Sequence, residues 1–324
     1  MLKIGMISGW HVHARGYAKE INARNDAQVE VIWDEDEDRG QSWAQDIEAK
    51  FESDLDKLLN DYDLDGVVIN APTNRHKEIL VKAAEAGIHI FTEKVMTLKV
   101  AAAREAINAI QEAGVEFCIS FPHRTKPEIL FAHKLIEKGK LGDISMFRVR
   151  NAHNGASGDW LPDHFYDQEQ CGGGAMIDLG AHGMYLARFF LGQPKRITSI
   201  FNNLFDKPVE DNAISTIEFT NNAVAVNETG FVTPESPFSL EVYGTEGSIF
   251  IGGTEGGVRF KTKDTEGWET PDKLPEPLPD PIDQWLDSIQ GRGKIHFGLE
   301  EGLQLTELME KAYLSHKKGE IVTF

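Results

Sequence analysis

The stretch Asp65-Gly66-Val67-Val68-Ile69-Asn70-Ala71-Pro72-Thr73, followed by an amphipathic run from His76 to Ala86 and a stop at Gly87, decides the fold. Gly66 to Asn70 reads as one unbroken strand with no polar alternation, the pattern of a strand covered on both faces in a parallel sheet. Ala71-Pro72-Thr73 makes the turn, and Gly87 ends the helix that follows. The same grammar repeats on both sides. Upstream, Leu2–Ile7 predicts a strand, Ala14–Asn25 a helix and Val29–Trp33 a second strand. The acidic run Asp34 to Asp38 comes next, then helical segments at Gly40–Lys50 and Asp54–Leu59. Downstream, His89–Thr92 predicts a strand, Lys99–Ala113 a helix stopped by Gly114, and Glu116–Ser120 another strand. Strands alternating with helices through short connections specify an α/β, doubly wound parallel sheet of Rossmann type over residues 1–122.

Past residue 122 the texture changes. Pro127–Lys138 reads as a helix and Ile144–Arg150 as a strand, followed by a Gly- and Asp-rich loop from Ala152 to Cys171. From Ile197 strand follows strand, with turns such as Thr220-Asn221-Asn222 and Gly244-Thr245-Glu246-Gly247. Consecutive strands joined by short turns imply a large, mostly antiparallel sheet, so residues 123–324 are expected to form an α+β domain. A proline-rich connection (Asp264–Pro281) and two helices, Ile282–Gln290 and Leu299–Lys318, close the chain.

With 324 residues, two domains are the natural expectation. A net charge of −19 excludes polyanionic partners, so neither nucleic acid nor an anionic membrane surface is expected. The opening MLKIGMISG lacks the basic region and apolar core of a secretory leader. Two cysteines, Cys118 and Cys171, cannot make a disulfide framework. Together these predict a cytoplasmic protein in a reducing compartment. Cys171 has no basic neighbour in sequence to lower its pKa, so it is not read as a nucleophile.

In an open α/β sheet, ligands bind at the carboxyl ends of the strands. The first such turn is Ser8-Gly9-Trp10-His11-Val12-His13, which holds one glycine where a dinucleotide fingerprint carries three. The helix start after it still offers N–H groups to a phosphate, and Ser8 offers a hydroxyl. Asp34 ends the second strand about where a carboxylate accepts the adenosine ribose hydroxyls, and the acids Glu35 to Asp38 would repel a 2′-phosphate. NAD is therefore expected in preference to NADP. His11 and His13 invite a metal reading, but zinc needs three or four ligands and neither CxxC nor HExxH occurs. The expectation is no metal, with one histidine facing the nicotinamide or substrate and the other capping the helix start.

The stretch Gly172 to Gly192, GGGAMIDLGAHGMYLARFFLG, predicts an apolar helix after a glycine triplet that lets the backbone lie against something flat. Asp178 and His182, four apart, share one face of it. Taken alone they fit a structural ion pair as well as a catalytic one.

Several separated segments carry a resemblance to a known family, among them Leu240 to Ile249 and Lys311 to Ser315 in the second domain. Asp65 to His76 is similar to D-x-V-x-I-x-x-P-x-x-x-H, and Ala86-Gly87-Ile88-His89-Ile90-Phe91-Thr92-Glu93-Lys94 to A-G-K-H-V-x-x-E-K-P. Gly172-Gly173-Gly174 with Asp178, Gly180 and His182 is similar to G-G-G-x-x-x-D-x-G-x-H. The chain thus resembles the glucose–fructose oxidoreductase/inositol dehydrogenase/MocA family over nearly its whole length. The resemblance implies an NAD(P)-dependent oxidoreductase acting on a sugar, cyclitol or related polyol. Lys94, Asp178 and His182 match the catalytic positions: His182 as general acid/base, Asp178 orienting, Lys94 stabilising the alkoxide. Ser8, Gly9, Trp10, His11, Asp34, Ala71, Pro72, Thr73, His76, Glu93, Lys94 and Arg124 are the expected cofactor contacts. Lys94, Asp178 and His182, with His153 and Trp160 from the loop before the helix, are the expected substrate contacts. A homodimer or homotetramer is implied as well. The sequence departs from the family at Val95 (for the proline of E-K-P), at Pro122-His123 (for an asparagine), at Tyr185 (for an aspartate) and in the reduced glycine finger. Three rival readings remain: a non-catalytic NAD-binding sensor, an NAD-retaining enzyme giving net glycoside hydrolysis or isomerisation, and a metal-dependent enzyme built on His11 and His13.

Overall fold

The computed structural model describes residues 1–324 and divides into two compact units. The first comprises Met1–Ser120 and Pro279–Thr306, the second Phe121–Leu278 and Glu307–Phe324. Chain-order domains of 1–122 and 123–324 do not capture this, because Pro279–Thr306 packs with the first unit.

In the first unit, strands β1 (Leu2–Ile7), β2 (Ala27–Trp33), β3 (Lys50–Phe51), β4 (Gly66–Ile69), β5 (His89–Thr92) and β6 (Phe117–Ile119) form one parallel sheet. Their order is β3-β2-β1-β4-β5-β6. This is the Rossmann order, and it reverses between β1 and β4. All four residues of β4 are buried, as an unalternated strand must be in a two-faced sheet. The short β3 escapes sequence reading because two residues carry no period.

The acidic run after β2 is divided among different tasks. Asp36 caps the helix Glu37–Asp46, its side chain accepting the Arg39 N–H, while Glu37 and Asp38 occupy the first turn. Acids there complement the orphan N–H groups and the helix dipole, so this helix begins three residues before the expected Gly40. Asp54 caps Leu55–Asp61 in the same way. Gly114, at φ 68°, ends Val100–Ala113.

The helix Pro281–Ile289 inserts Ile282, Trp285 and Leu286 into the core formed by Ile4, Met6, Ile32, Val68 and Phe91. The Trp285 ring packs against Gly66, where an added Cβ would sit 2.6 Å from it. Arg24 reaches back to this helix, pairing with Asp283 and Asp287 at 2.6 Å each.

The second unit is built on an eight-stranded sheet: β7 (Ile144–Ala152), β8 (Pro194–Asn202), β9 (Asn212–Phe219), β10 (Val224–Gly230), β11 (Ser239–Gly244), β12 (Gly247–Gly252), β13 (Val258–Thr262) and β14 (Val322–Thr323). The order is β13-β12-β11-β7-β10-β9-β8-β14, antiparallel except for the β7/β10 pair. The glycine-led helix packs on this sheet, but it is not one regular helix. Met176–Gly180 winds as a π-helix before the α-helix Ala181–Leu191. No helix of the chain is long and apolar enough to cross a membrane.

Replacing Gly66 by alanine should force Trp285 out of its place and destabilise the protein by about 1–3 kcal/mol, the usual range for overpacking a closed core. Chemical denaturation reads this directly. An unchanged midpoint would mean that the returning helix does not pack as described.

Candidate functional site

The strand order of the first unit reverses between β1 and β4, and the first turn follows the carboxyl end of β1. Asn70 donates its N–H to the Ile7 carbonyl at 2.9 Å and accepts the His11 N–H at 3.1 Å, fixing the first turn against the neighbouring strand end. Ser8 adopts φ 72°, the left-handed conformation in which relatives of this fold place glycine. It is buried, and its hydroxyl accepts the Trp10 N–H at 3.0 Å. Gly9 passes so close to Trp43 and Asp34 that a Cβ would meet them at 3.2 and 3.3 Å. The helix Ala14–Ala23 starts at His13 with no side chain capping its N–H groups. His13 therefore stands at the cap position without capping, contrary to the expected division of labour between the two histidines.

Asp34 is buried and surrounded by donors. Its Oδ2 accepts the Gly9 N–H at 2.8 Å and Arg39 Nε at 2.9 Å, and its Oδ1 accepts the Asp36 N–H at 2.9 Å and Arg39 Nη2 at 2.5 Å. Those four bonds fill the acceptor capacity of a carboxylate. Arg39 also pairs with Glu35 at 2.7 Å. The Arg39 fork thus occupies the carboxylate edge that a ribose diol would use.

At the end of β5, Glu93 is buried within a ring of partners. His13 Nδ1 lies 2.8 Å from its Oε1, the Tyr17 hydroxyl donates to the same oxygen, and the Lys94 N–H donates to Oε2 at 3.1 Å. Tyr17 also meets the Ser120 hydroxyl at 2.8 Å. Burial works to raise the Glu93 pKa, but His11, His13 and Lys94 outweigh it and hold the carboxyl well below the ordinary range. Lys94 is buried, and the Lys94–Val95 peptide is cis. His76 is enclosed, with Nε2 2.9 Å from the Ala71 carbonyl and Nδ1 2.9 Å from that of Val95. It ties the Ala71-Pro72-Thr73 turn to the segment after Lys94, so its influence on a ligand passes through those two carbonyls.

In the second unit the glycine triplet is explained by its neighbours. Gly174 and Met176 donate their N–H groups to Glu210 Oε1 at 2.9 and 3.0 Å, and the Tyr313 hydroxyl donates to the same oxygen at 2.6 Å. A Cβ on Gly173 would strike the Tyr313 ring, and one on Gly174 the Glu210 carbonyl. The flat object these glycines accommodate is thus a tyrosine of the protein itself. Sequence spacing does not pair Glu210 or Tyr313 with the triplet, since each lies far from it in the chain.

Asp178 falls in the π-helical turn and His182 in the first turn of the α-helix. His182 is buried, with Nδ1 2.9 Å from the Tyr185 hydroxyl, whose oxygen accepts the His123 N–H at 3.2 Å. Tyr185 stacks on Phe121 with ring centres 4.2 Å apart, and His123 meets His182 edge-on at 4.8 Å. The residues that replace the family's aspartate and asparagine thus surround the histidine. Arg124 lies over the Phe189 ring at 4.2 Å. His153 stacks on Phe231, its Nδ1 accepting the Gly155 N–H at 2.9 Å, and burial lowers its pKa against the charge of Asp178. Trp160 is exposed and donates to Asn154 at 3.1 Å. Burial pushes the Cys171 thiol up to about 12, consistent with an inert cysteine.

Residues 2–121 match the family described as "Oxidoreductase family, NAD-binding Rossmann fold", and residues 129–250 match "GFO/IDH/MocA C-terminal domain". The scyllo-inositol 2-dehydrogenase (NAD(+)) of Bacillus subtilis (strain 168) is 34% identical over 212 residues, 63% of this chain and 59% of that enzyme. The 2,7-anhydro-N-acetylneuraminate hydratase of Escherichia coli (strain K12) is 26% identical over 276 residues, 82% of this chain and 69% of that protein. The chain spans about 60% of the length of the first curated relatives it matches. Among solved structures, GenD2 from gentamicin A biosynthesis in complex with NAD superposes with TM-score 0.85 at 25% identity, covering 100% of this chain and 96% of that one. A levoglucosan dehydrogenase complexed with NADH and levoglucosan shares the fold, with TM-score 0.86 at 22% identity and 99% coverage of both chains.

Burial lowers the His76 pKa, although both carbonyls favour its charged form. A histidine kept neutral in the folded state stabilises fully above the unfolded value near 6.5, and its contribution drains away as pH falls through the depressed folded pKa. Unfolding free energies measured at pH 8, 6.5 and 5.5 should therefore fall more steeply for the wild type than for His76→Gln. Equal slopes would contradict this reading.

Proposed function

The chain belongs to the glucose–fructose oxidoreductase/inositol dehydrogenase/MocA oxidoreductase family, and from that premise we propose that it is an NAD-dependent dehydrogenase of a secondary alcohol on a sugar, cyclitol or related polyol. The first unit is an NAD-binding Rossmann domain. Its residues suit the group: an uncapped helix start behind Gly9, a buried acid ending β2, and a buried Asn70 Oδ1 without a hydrogen-bond partner at the strand-order reversal. Bound NAD supplies the acceptor for the two electrons that leave the carbinol carbon.

The chain's own residues carry the proton and the developing charge. With His182 Nδ1 on the Tyr185 oxygen, Nε2 is the nitrogen that exchanges the hydroxyl proton. Tyr185, at the position where the family resemblance has an aspartate, then orients the ring. That buried, hydroxyl-keyed imidazole is the observation on which the reading rests. Asp178 orients the substrate, and the Lys94 ammonium stabilises the oxygen as negative charge develops on it. Ser8, Gly9, Trp10, His11, Ala71, Pro72, Thr73, Glu93 and Arg124 are assigned to the cofactor, with His76 acting through Ala71. Asp34 receives the ribose once the Arg39 fork gives way, and Glu35 beside it disfavours a 2′-phosphate. His153 and Trp160 are assigned to the substrate side. The outer face of the second unit's sheet exposes Met146, Ile200 and Ile214, a surface suited to pairing with a second copy as a dimer or tetramer in the cytoplasm.

The hydratase name of the Escherichia coli relative favours one second reading, in which NAD stays bound and the net reaction is redox-neutral. Incubation with NAD and a polyol panel separates the two: NADH absorbance accumulates in the first case, while product forms without it in the second. His182→Ala should lower turnover by about 10²–10⁴-fold with NAD binding retained, and full activity in that variant would sink the assignment. Fluorescence titration should show tighter binding of NAD than of NADP. Equal or tighter NADP binding would remove Asp34 and Glu35 from the specificity argument.

A further inference from the structure

The turn that departs most from a glycine finger places two imidazoles where the fold brings a carboxylate. His11 Nδ1 and His13 Nδ1 lie 3.9 and 2.8 Å from one oxygen, Glu93 Oε1, and the two rings are 4.6 Å apart. One ligand atom from each of the three residues can be chosen so that all lie within 4.8 Å of one another. We propose that in the NAD-free protein His11 and Glu93, assigned above to the cofactor side, join His13 as a binding site for a first-row divalent cation of the zinc type.

The geometry supports this. Zinc–nitrogen and zinc–oxygen bonds of about 2.1 Å in a tetrahedron put neighbouring donor atoms about 3.4 Å apart. The two observed histidine–carboxylate distances, 2.8 and 3.9 Å, straddle that value, and all three donors lie within 4.8 Å, so the ligands close on a cation by side-chain adjustment alone. The donor states also fit. His11 Nδ1 accepts the His13 N–H at 3.2 Å, so it is unprotonated, and a cation bound through this nitrogen takes the place of that hydrogen bond. The cation would displace the proton shared between His13 and Glu93, which passes to solvent through the half-exposed His13 side chain.

The outer partners resemble those that orient metal ligands. Tyr17 donates to the Glu93 oxygen that faces the imidazoles, and the Lys94 N–H pins the other at 3.1 Å. Two histidines and one carboxylate leave a fourth position for water or a substrate oxygen, the ligand number of catalytic rather than structural zinc sites. The expectation of no metal rested on the lack of a third ligand near His11 and His13. Glu93, 80 positions away from His13, supplies it.

The test uses tag-free, chelator-stripped full-length protein without NAD or polyol, so its outcome is independent of the dehydrogenase reading. Titration with zinc chloride, followed by calorimetry and elemental analysis after gel filtration, should show one equivalent bound. Cobalt(II) should give the visible absorption of a low-coordinate site. His13→Ala and Glu93→Gln should each weaken zinc binding by more than about 100-fold, beyond the range of an outer-partner loss. Far-UV circular dichroism of the metal-free variants checks that they fold, and if His13→Ala does not, Glu93→Gln and the wild-type cobalt spectrum decide. Less than stoichiometric zinc in the wild type, an octahedral aquo-like cobalt spectrum, or undiminished binding in a folded variant would overturn the proposal.

Discussion

A buried carboxylate must find donors or be expelled, and the first unit is arranged around that demand. Asp34 collects two backbone N–H groups and the Arg39 fork, and in doing so ties the turn after β1, the end of β2 and the start of the next helix into one piece. Glu93 does the same at the end of β5, joining the first turn through His13 to the first helix through Tyr17. In the second unit Glu210 fixes the glycine triplet by two N–H groups and a tyrosine hydroxyl. In each case a loop that would otherwise be loose at a strand or helix end is held by charge-assisted bonds in a low-dielectric setting, where such bonds are strongest.

This arrangement shifts the meaning of the missing glycines. A glycine finger relies on backbone freedom to approach a phosphate. Here Ser8 takes the left-handed conformation of the first glycine and adds a hydroxyl that accepts the Trp10 N–H, while Trp10 itself is buried. The turn keeps its backbone path with side chains where hydrogen atoms usually stand. The cost is local strain of about 1–3 kcal/mol at Ser8, borne by the surrounding hydrogen bonds.

The parallel sheet was legible in the sequence because its signal is local: Val67-Val68-Ile69 without alternation, helix stops at Gly87 and Gly114, and short connections. The placement of Lys94, Asp178 and His182 on strand end and helix was legible through motif spacing. Pairings across long sequence distances were not. Nothing near Gly173 announces Tyr313, nothing near Asp34 says that Arg39 will fill its acceptors, and nothing near His13 points to Glu93. The π-helical turn at Met176–Gly180 was equally hidden, since an apolar period of 3.6 tolerates one wider turn. The helix start at Glu37 was missed for a different reason. The acids after Asp34 read as charge facing a cofactor phosphate, and that reading does not show that Asp36 caps a helix whose first turn holds Glu37 and Asp38.

Trp285 against Gly66 has a consequence for the order in which the protein can be made. The sheet of the first unit is encoded by its first 119 residues, yet a wall of its core arrives only with Pro281–Ile289, after the strands of the second sheet from β7 to β13. During synthesis the early strands must wait, with an apolar face open to water, for about half the chain to emerge. A fragment ending near residue 122 would keep the strands and lose that wall. The two units are therefore separable by contact but not by translation, and the nascent first sheet is the stage at which this chain most needs protection from aggregation.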